Sequence, residues 1–128
     1  MDPIELQMHR LNTEAFILAK PSFLTLTPQE KEDTPSGGYK LVEKAPRAQQ
    51  MFRIIELGAN QTPPVLRLTD GTQREVDFWL LGTWDAKVGI NDTWTAMDQA
   101  SGRMRTWLVG DIVRSNDYEV RGLVVERG

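Results

Sequence analysis

From Met51 to its end the chain repeats one pattern, short apolar and polar alternations broken by turn signals about every eight to twelve residues, and few folds accommodate that rhythm. Met51-Phe52-Arg53-Ile54-Ile55-Glu56-Leu57 reads as one strand and Val65-Leu66-Arg67-Leu68-Thr69 as the next, across a Gly58 to Pro64 turn region. Asp70-Gly71 then separates Leu66 and Leu68 from the alternating run Arg74 to Leu81, a strong two-residue hairpin signal. Along that run Val76, Phe78 and Leu80 are expected to face the core, with Glu75, Asp77 and Trp79 on the other side. The turn Asp98 to Gly102 leads into Arg103–Val109, and Ser115-Asn116-Asp117 divides Asp111–Arg114 from Tyr118–Val125. About six or seven short antiparallel strands result, and such strands close into a small barrel or stack as a sandwich.

The residues before this region differ in texture. Asp2 is placed to cap a helix, Pro3 suits its first turn, and Glu5 follows at capping-box spacing. Ile4, Met8, Leu11, Ala15 and Leu18 recur at helical spacing over about residues 3–19, and Pro21 ends the element. That apolar stripe packs either on the domain's own core or on a neighbouring subunit. Phe23 to Thr27 alternates like a strand. Residues 28–50 then carry Pro28, Pro35, Pro46 and Ser36-Gly37-Gly38 among mixed charges, which predicts a long polar loop with a short strand at most over Tyr39–Val42. This loop is either a solvated excursion or a segment that orders against partners. The fold expectation is therefore one domain over 1–128, mainly β: an antiparallel barrel or sandwich over about 51–126, an N-terminal helix and a long loop.

Chemical equipment is sparse. The chain has no Cys and one His, His9, which removes thiol nucleophiles, disulfide frameworks, Cys-based metal sites and His-based triads. Glu75 and Asp77 share a strand face but sit where charges ordinarily keep a sheet wet, and Asp85, Asn91, Asp92 and Asp98 match no calcium-loop spacing. No phosphate-loop motif follows Ser36-Gly37-Gly38. We expect no catalytic residue, no cofactor and no metal. Fifteen Lys plus Arg against 18 Asp plus Glu give a net charge of −3, without the basic cluster that gripping nucleic acid requires. No run approaches the roughly 20 apolar residues of a membrane span, and the start lacks a signal-peptide pattern, so no membrane association and a cytoplasmic site of synthesis are expected. The 4 tryptophans invite two functional readings, stacking platforms for bases or sugars and anchors of protein interfaces, besides plain core packing. Trp79 and Trp84 fit an interface better than Trp94 and Trp107. Arg103, Arg105, Arg114 and Arg121 alternate with apolar residues and could meet Glu75 and Asp77 across a subunit boundary, or simply face solvent.

Several stretches resemble the small head-to-tail stopper, or head-closure, proteins of long-tailed bacteriophages, particularly those infecting actinobacteria. They are Glu75-Val76-Asp77-Phe78-Trp79-Leu80-Leu81-Gly82, then Asp85 with Ile90-Asn91-Asp92-Thr93-Trp94, and the ending Asp117 to Arg127. The opening Met1 to Leu6 with Arg10 to Ile17 is similar to the same group. Asn91 departs from it, standing where such proteins often carry Gly. The resemblance implies a β-barrel protomer in a homo-oligomeric ring of about six copies in preference to about twelve. That ring would sit in the virion neck, between the adaptor and portal side and the tail terminator and tube side, with DNA only passing through its lumen. It also implies a loop reaching into the channel or toward a partner, matched here by Pro35, Ser36, Gly37, Gly38, Tyr39 and Lys40, with Pro35 to Lys44 expected to order only in the ring. A tail terminator or other neck connector is the near alternative. An oligonucleotide/oligosaccharide-barrel binding module is the alternative of another class.

Overall fold

In a computed structural model, which describes residues 1–127, the first helix is capped as its sequence requires. Asp2 Oδ1 accepts the Glu5 amide at 2.9 Å, Pro3 fills the first position, and α1 runs Pro3–Ala19. Ten strands follow: β1 (Ser22–Leu24), β2 (Gln29–Asp33), β3 (Tyr39–Glu43), β4 (Gln50–Glu56), β5 (Val65–Arg67), β6 (Gln73–Glu75), β7 (Phe78–Thr83), β8 (Thr93–Met97), β9 (Met104–Ser115) and β10 (Glu119–Glu126).

Six of these strands form one antiparallel sheet in the order β1-β4-β7-β10-β9-β8. The sheet curls until its edges nearly meet. Thr27, just past β1, exchanges backbone hydrogen bonds with Thr93 of β8 at 2.8 and 3.0 Å, so the open edges are joined at one point and the sheet becomes barrel-like. Register fixes which side chains point inward. Phe52 stands opposite Gly82 and Ile54 opposite Leu80, while Trp94 pairs with Trp107. Leu24, Leu26, Phe52, Phe78, Leu80, Trp94, Val109 and Val124 form the buried interior, with Phe78 edge-on to Trp107 at 4.8 Å between centroids.

The outer face carries a second, smaller core. Leu108, Leu123 and Val125 project outward there and are covered by Leu66 and Val76 from the β5–β6 hairpin, with Leu68 and Trp79 against them. This corrects the expectation that Val76 shares a face with Phe78 and Leu80. The run from Arg74 to Leu81 is two strands, because the Val76 amide donates to Pro64 O whereas the Asp77 amide donates to Val124 O. The change of partner shifts the alternation and sends Val76 to the outer core.

The polar stretch 28–50 departs from expectation as well, since much of it is a hairpin. β2 pairs with β3 from Gln29↔Glu43 to Asp33↔Tyr39. Its turn is closed by the Gly37 amide donating to Thr34 O at 3.0 Å, with Gly37 at φ 89, a conformation that needs glycine. Lys44 reaches Glu32 at 2.9 Å, and the Tyr39 hydroxyl donates to the Thr69 carbonyl. Pro35 to Lys44 thus makes up the turn and second strand of this hairpin.

Gly82 leaves no room for a side chain in the interior. A Cβ there would lie 2.8 Å from Ala86 Cβ and 2.9 Å from Phe52 Cε1, closer than such atoms approach. Gly82→Ala is expected to cost about 2 kcal/mol by overpacking, read as a lower urea midpoint at unchanged slope.

Candidate interaction surfaces

The helix presents its apolar side outward. Ile17 is the buried residue of α1, and the inward side is completed by half-buried Leu6, His9, Arg10 and Thr13. Specific polar and aromatic contacts hold that side down. His9 stacks on Tyr118 at 4.8 Å, and Arg10 Nε donates to Asp117 O at 2.8 Å while its guanidinium lies 4.0 Å over Trp84. Arg53 Nη1 donates to Phe16 O at 2.7 Å. The stripe of Ile4, Met8, Leu11, Ala15 and Leu18 lies on the far side of the helix and is exposed, Ile4 at 76% and Met8 at 58%. Of the two fates open to it, packing on the chain's own core is excluded.

The residues singled out for a subunit interface fall on more than one surface. Trp84, 47% exposed, lies beyond the end of β7 beside the β9–β10 turn, whereas Arg103 and Arg105 lie near the start of β9. Glu75 is exposed on β6, opposite Val65. Asp77 Oδ2 accepts the Glu126 amide at 2.7 Å, holding the chain where it changes sheets. Arg105 is engaged within its own chain: it grips Glu126 through two bonds of 2.9 and 2.5 Å and reaches Asp98 at 3.3 Å. That pairing, the hydrogen bond above all, holds the Glu126 carboxyl below its ordinary range and raises the Arg105 guanidinium. Asp98 is lowered chiefly by the Ser101 hydroxyl and then by the Ala100 amide. Arg114 and Arg121 both turn to buried Glu119, at 2.6 and 3.4 Å. Of the four arginines that could have met Glu75 and Asp77 across a boundary, Arg103 alone forms no ion pair among the described residues.

Pro35, Ser36, Gly37, Gly38, Tyr39 and Lys40 make the exposed tip of the β2–β3 hairpin. Lys31 lies 4.1 Å over the Tyr39 ring, and Tyr39 ties the tip to the β5–β6 turn through Thr69.

A cleft of about 430 Å³ opens on the outer face of the sheet, lined by Ile55, Leu57, Gln61, Pro64, Trp79 and Arg121 among others. The register places Ile55 beside Trp79, and Leu81 between Arg53 and Arg121, so these side chains share the outer face. The Arg121 guanidinium lies 5.2 Å from the centre of the Trp79 ring. Trp79 Nε1 and Arg121 Nε are both buried without an acceptor. Glu56 is the only carboxylate among the lining residues, so the cleft offers donors and apolar surface but no acid–base pair. Among the described residues no three His, Cys, Asp or Glu gather as metal ligands do, and no helix is long and apolar enough to cross a membrane.

Two features escape sequence reading. The first joins the linker after β3 to the turn before β8. Arg47 Nε donates to Asp92 Oδ2 at 2.9 Å and Nη2 to Oδ1 at 3.3 Å, while the Gly89 amide also donates to Oδ2, and Asp92 is buried. The neighbouring Asn91 stands at φ 75, the left-handed region that glycine occupies freely and asparagine tolerates, so the turn forms without glycine. The second is a set of arginines around Glu126 at the barrel end holding the β8–β9 turn, where Arg105 pairs with Glu126 and Arg74 and Arg127 line one pocket with it. Its members are scattered along the chain, so no local run of Lys or Arg announces it.

Comparison of the chain with protein-family models, with curated proteins and with solved structures found no match. Fold and surface together define a small β-barrel-like protein with an outward-facing amphipathic helix.

Proposed function

We propose that this protein is a structural subunit of a bacteriophage neck, forming a homo-oligomeric ring that closes the DNA-filled head and presents a platform for the tail. The observation that carries this reading is the exposed stripe of α1. A helix held by polar contacts on one side, with Ile4, Met8, Leu11 and Leu18 in water on the other, is shaped for a protein neighbour. The net charge of −3 suits a lumen through which DNA slides without being held. In this role the chain works by shape and breaks no covalent bond. The partners are the adaptor and portal on one side and the tail terminator and tube on the other, with a tail terminator or other neck connector as the near alternative.

A base- or sugar-stacking module would need open aromatic faces. Trp79 and Trp84 each carry a guanidinium over the ring, which leaves that reading weaker. Immunogold labelling of the source particle with antibody against this chain tests the proposal. Gold at the junction of head and tail is expected; gold confined to the capsid or tail tip, or none on the particle, would refute it.

A further inference from the structure

We infer that copies of this chain join head to tail, the outward stripe of α1 on one copy seating against the β8–β9 end of the next. The inference rests on the ring reading and assigns its two contacting surfaces.

The first surface is apolar with acidic flanks. At 100° per residue Ile4, Met8, Leu11, Ala15 and Leu18 centre on one line of the helix, with Glu5 to one side and Glu14 to the other. All of these side chains are exposed. Two such stripes laid together would set carboxylates against carboxylates, which disfavours a symmetric helix-to-helix dimer.

The second surface is apolar with unpaired arginines beside it, since Asp98 and Glu126 at this end are taken up by Arg105. Met97 and Met104 stand opposite each other in the β8–β9 pair and are 56% and 60% exposed. Beside them Arg103 is exposed, and Arg74 and Arg127 line a pocket with Glu126; among the described residues none of the three forms an ion pair. Methionine adapts its shape to an incoming apolar surface. The two surfaces lie at opposite ends of the barrel. His9 and Arg10 anchor α1 to Tyr118 and Asp117, past the far end of β9, whereas Met104 begins that strand of 12 residues. An acidic apolar surface at one end and an apolar surface with unpaired arginines at the other give a heterologous contact, which propagates and closes into a ring when the rotation allows.

The chain's lack of cysteine makes the test direct. Met8→Cys with Met104→Cys in one chain is expected to give, under mild oxidation, a ladder of disulfide-linked species beyond the dimer, while neither single variant cross-links efficiently. Glu5→Lys and Arg103→Glu should each weaken self-association by roughly tenfold or more, and the two together should restore it. Both sites are exposed, so an unchanged circular dichroism spectrum is expected for every variant. Single-cysteine dimers, or assembly indifferent to the charge changes, would overturn the surface assignment while leaving the ring reading standing. A protein that stays monomeric in all forms would overturn both.

Discussion

Replacing Phe52 with alanine is expected to lower the unfolding free energy by about 4 kcal/mol, the largest loss we expect from any single truncation in this chain. Phe52 is 1% exposed and sits on β4 between β1 and β7, its ring laid across Gly82 of β7. The absence of a side chain at Gly82 is what makes room for that ring, so no neighbour from β7 can fill the space it vacates. Transfer cost and residual cavity therefore add. Phe52→Leu keeps most of the volume and should lose only about 1.5 kcal/mol. Urea unfolding at one fixed protein concentration reads both values, since self-association adds to apparent stability. A loss below about 1 kcal/mol for the alanine variant would mean that the interior repacks freely and that the tight Phe52–Gly82 fit is not a feature of the folded protein.

Arg47→Ala is expected to cost about 3 kcal/mol, although Arg47 is partly exposed and outside the sheet. The cost comes from what it leaves behind. The Asp92 side chain is 2% exposed and would keep the Gly89 amide as its one remaining side-chain partner, a buried carboxylate without a counter-charge. Asp92 also orients the turn before β8, whose first residue, Thr93, makes the bridge to Thr27 that nearly closes the barrel. Damage should therefore appear first at the seam, as faster amide exchange at Thr27 and Thr93 than in β10. Arg47→Lys retains the charge but not the forked geometry and should recover part of the loss, leaving about 1 kcal/mol. Exchange that accelerates uniformly across the sheet would show that the pair stabilises the whole fold without any special hold on the seam.

What the sequence disclosed follows from which interactions are local. The α1 cap involves Asp2, Pro3 and Glu5, and the Asp70-Gly71 turn needs only its own residues, so both are readable; Gly71 is indeed at φ 88. Alternation in the second half specifies β-strands and hence the barrel-like class. Alternation does not disclose a change of hydrogen-bonding partner, which is why the break at Val76 and Asp77 is invisible in a run that alternates throughout. Periodicity likewise identifies one side of α1 as apolar without saying what lies against it. The side that faces the barrel carries, besides Ile17 and Leu6, the polar His9, Arg10 and Thr13, residues that a hydrophobicity pattern assigns to solvent. In the 28–50 stretch the charges mask a hairpin, because its stability comes from the Gly37 turn, the Lys44–Glu32 pair and the distant Thr69 carbonyl. The cleft of Trp79 and Arg121 and the Arg47–Asp92 pair depend on strand register and on residues far apart in sequence, which no local pattern encodes.

Sedimentation velocity of the purified chain across a wide concentration range tests most directly whether it acts by assembling. The account predicts a discrete species larger than a dimer, with the drag of an open ring, growing at the expense of monomer as concentration rises. A single compact monomer boundary at every concentration would contradict it.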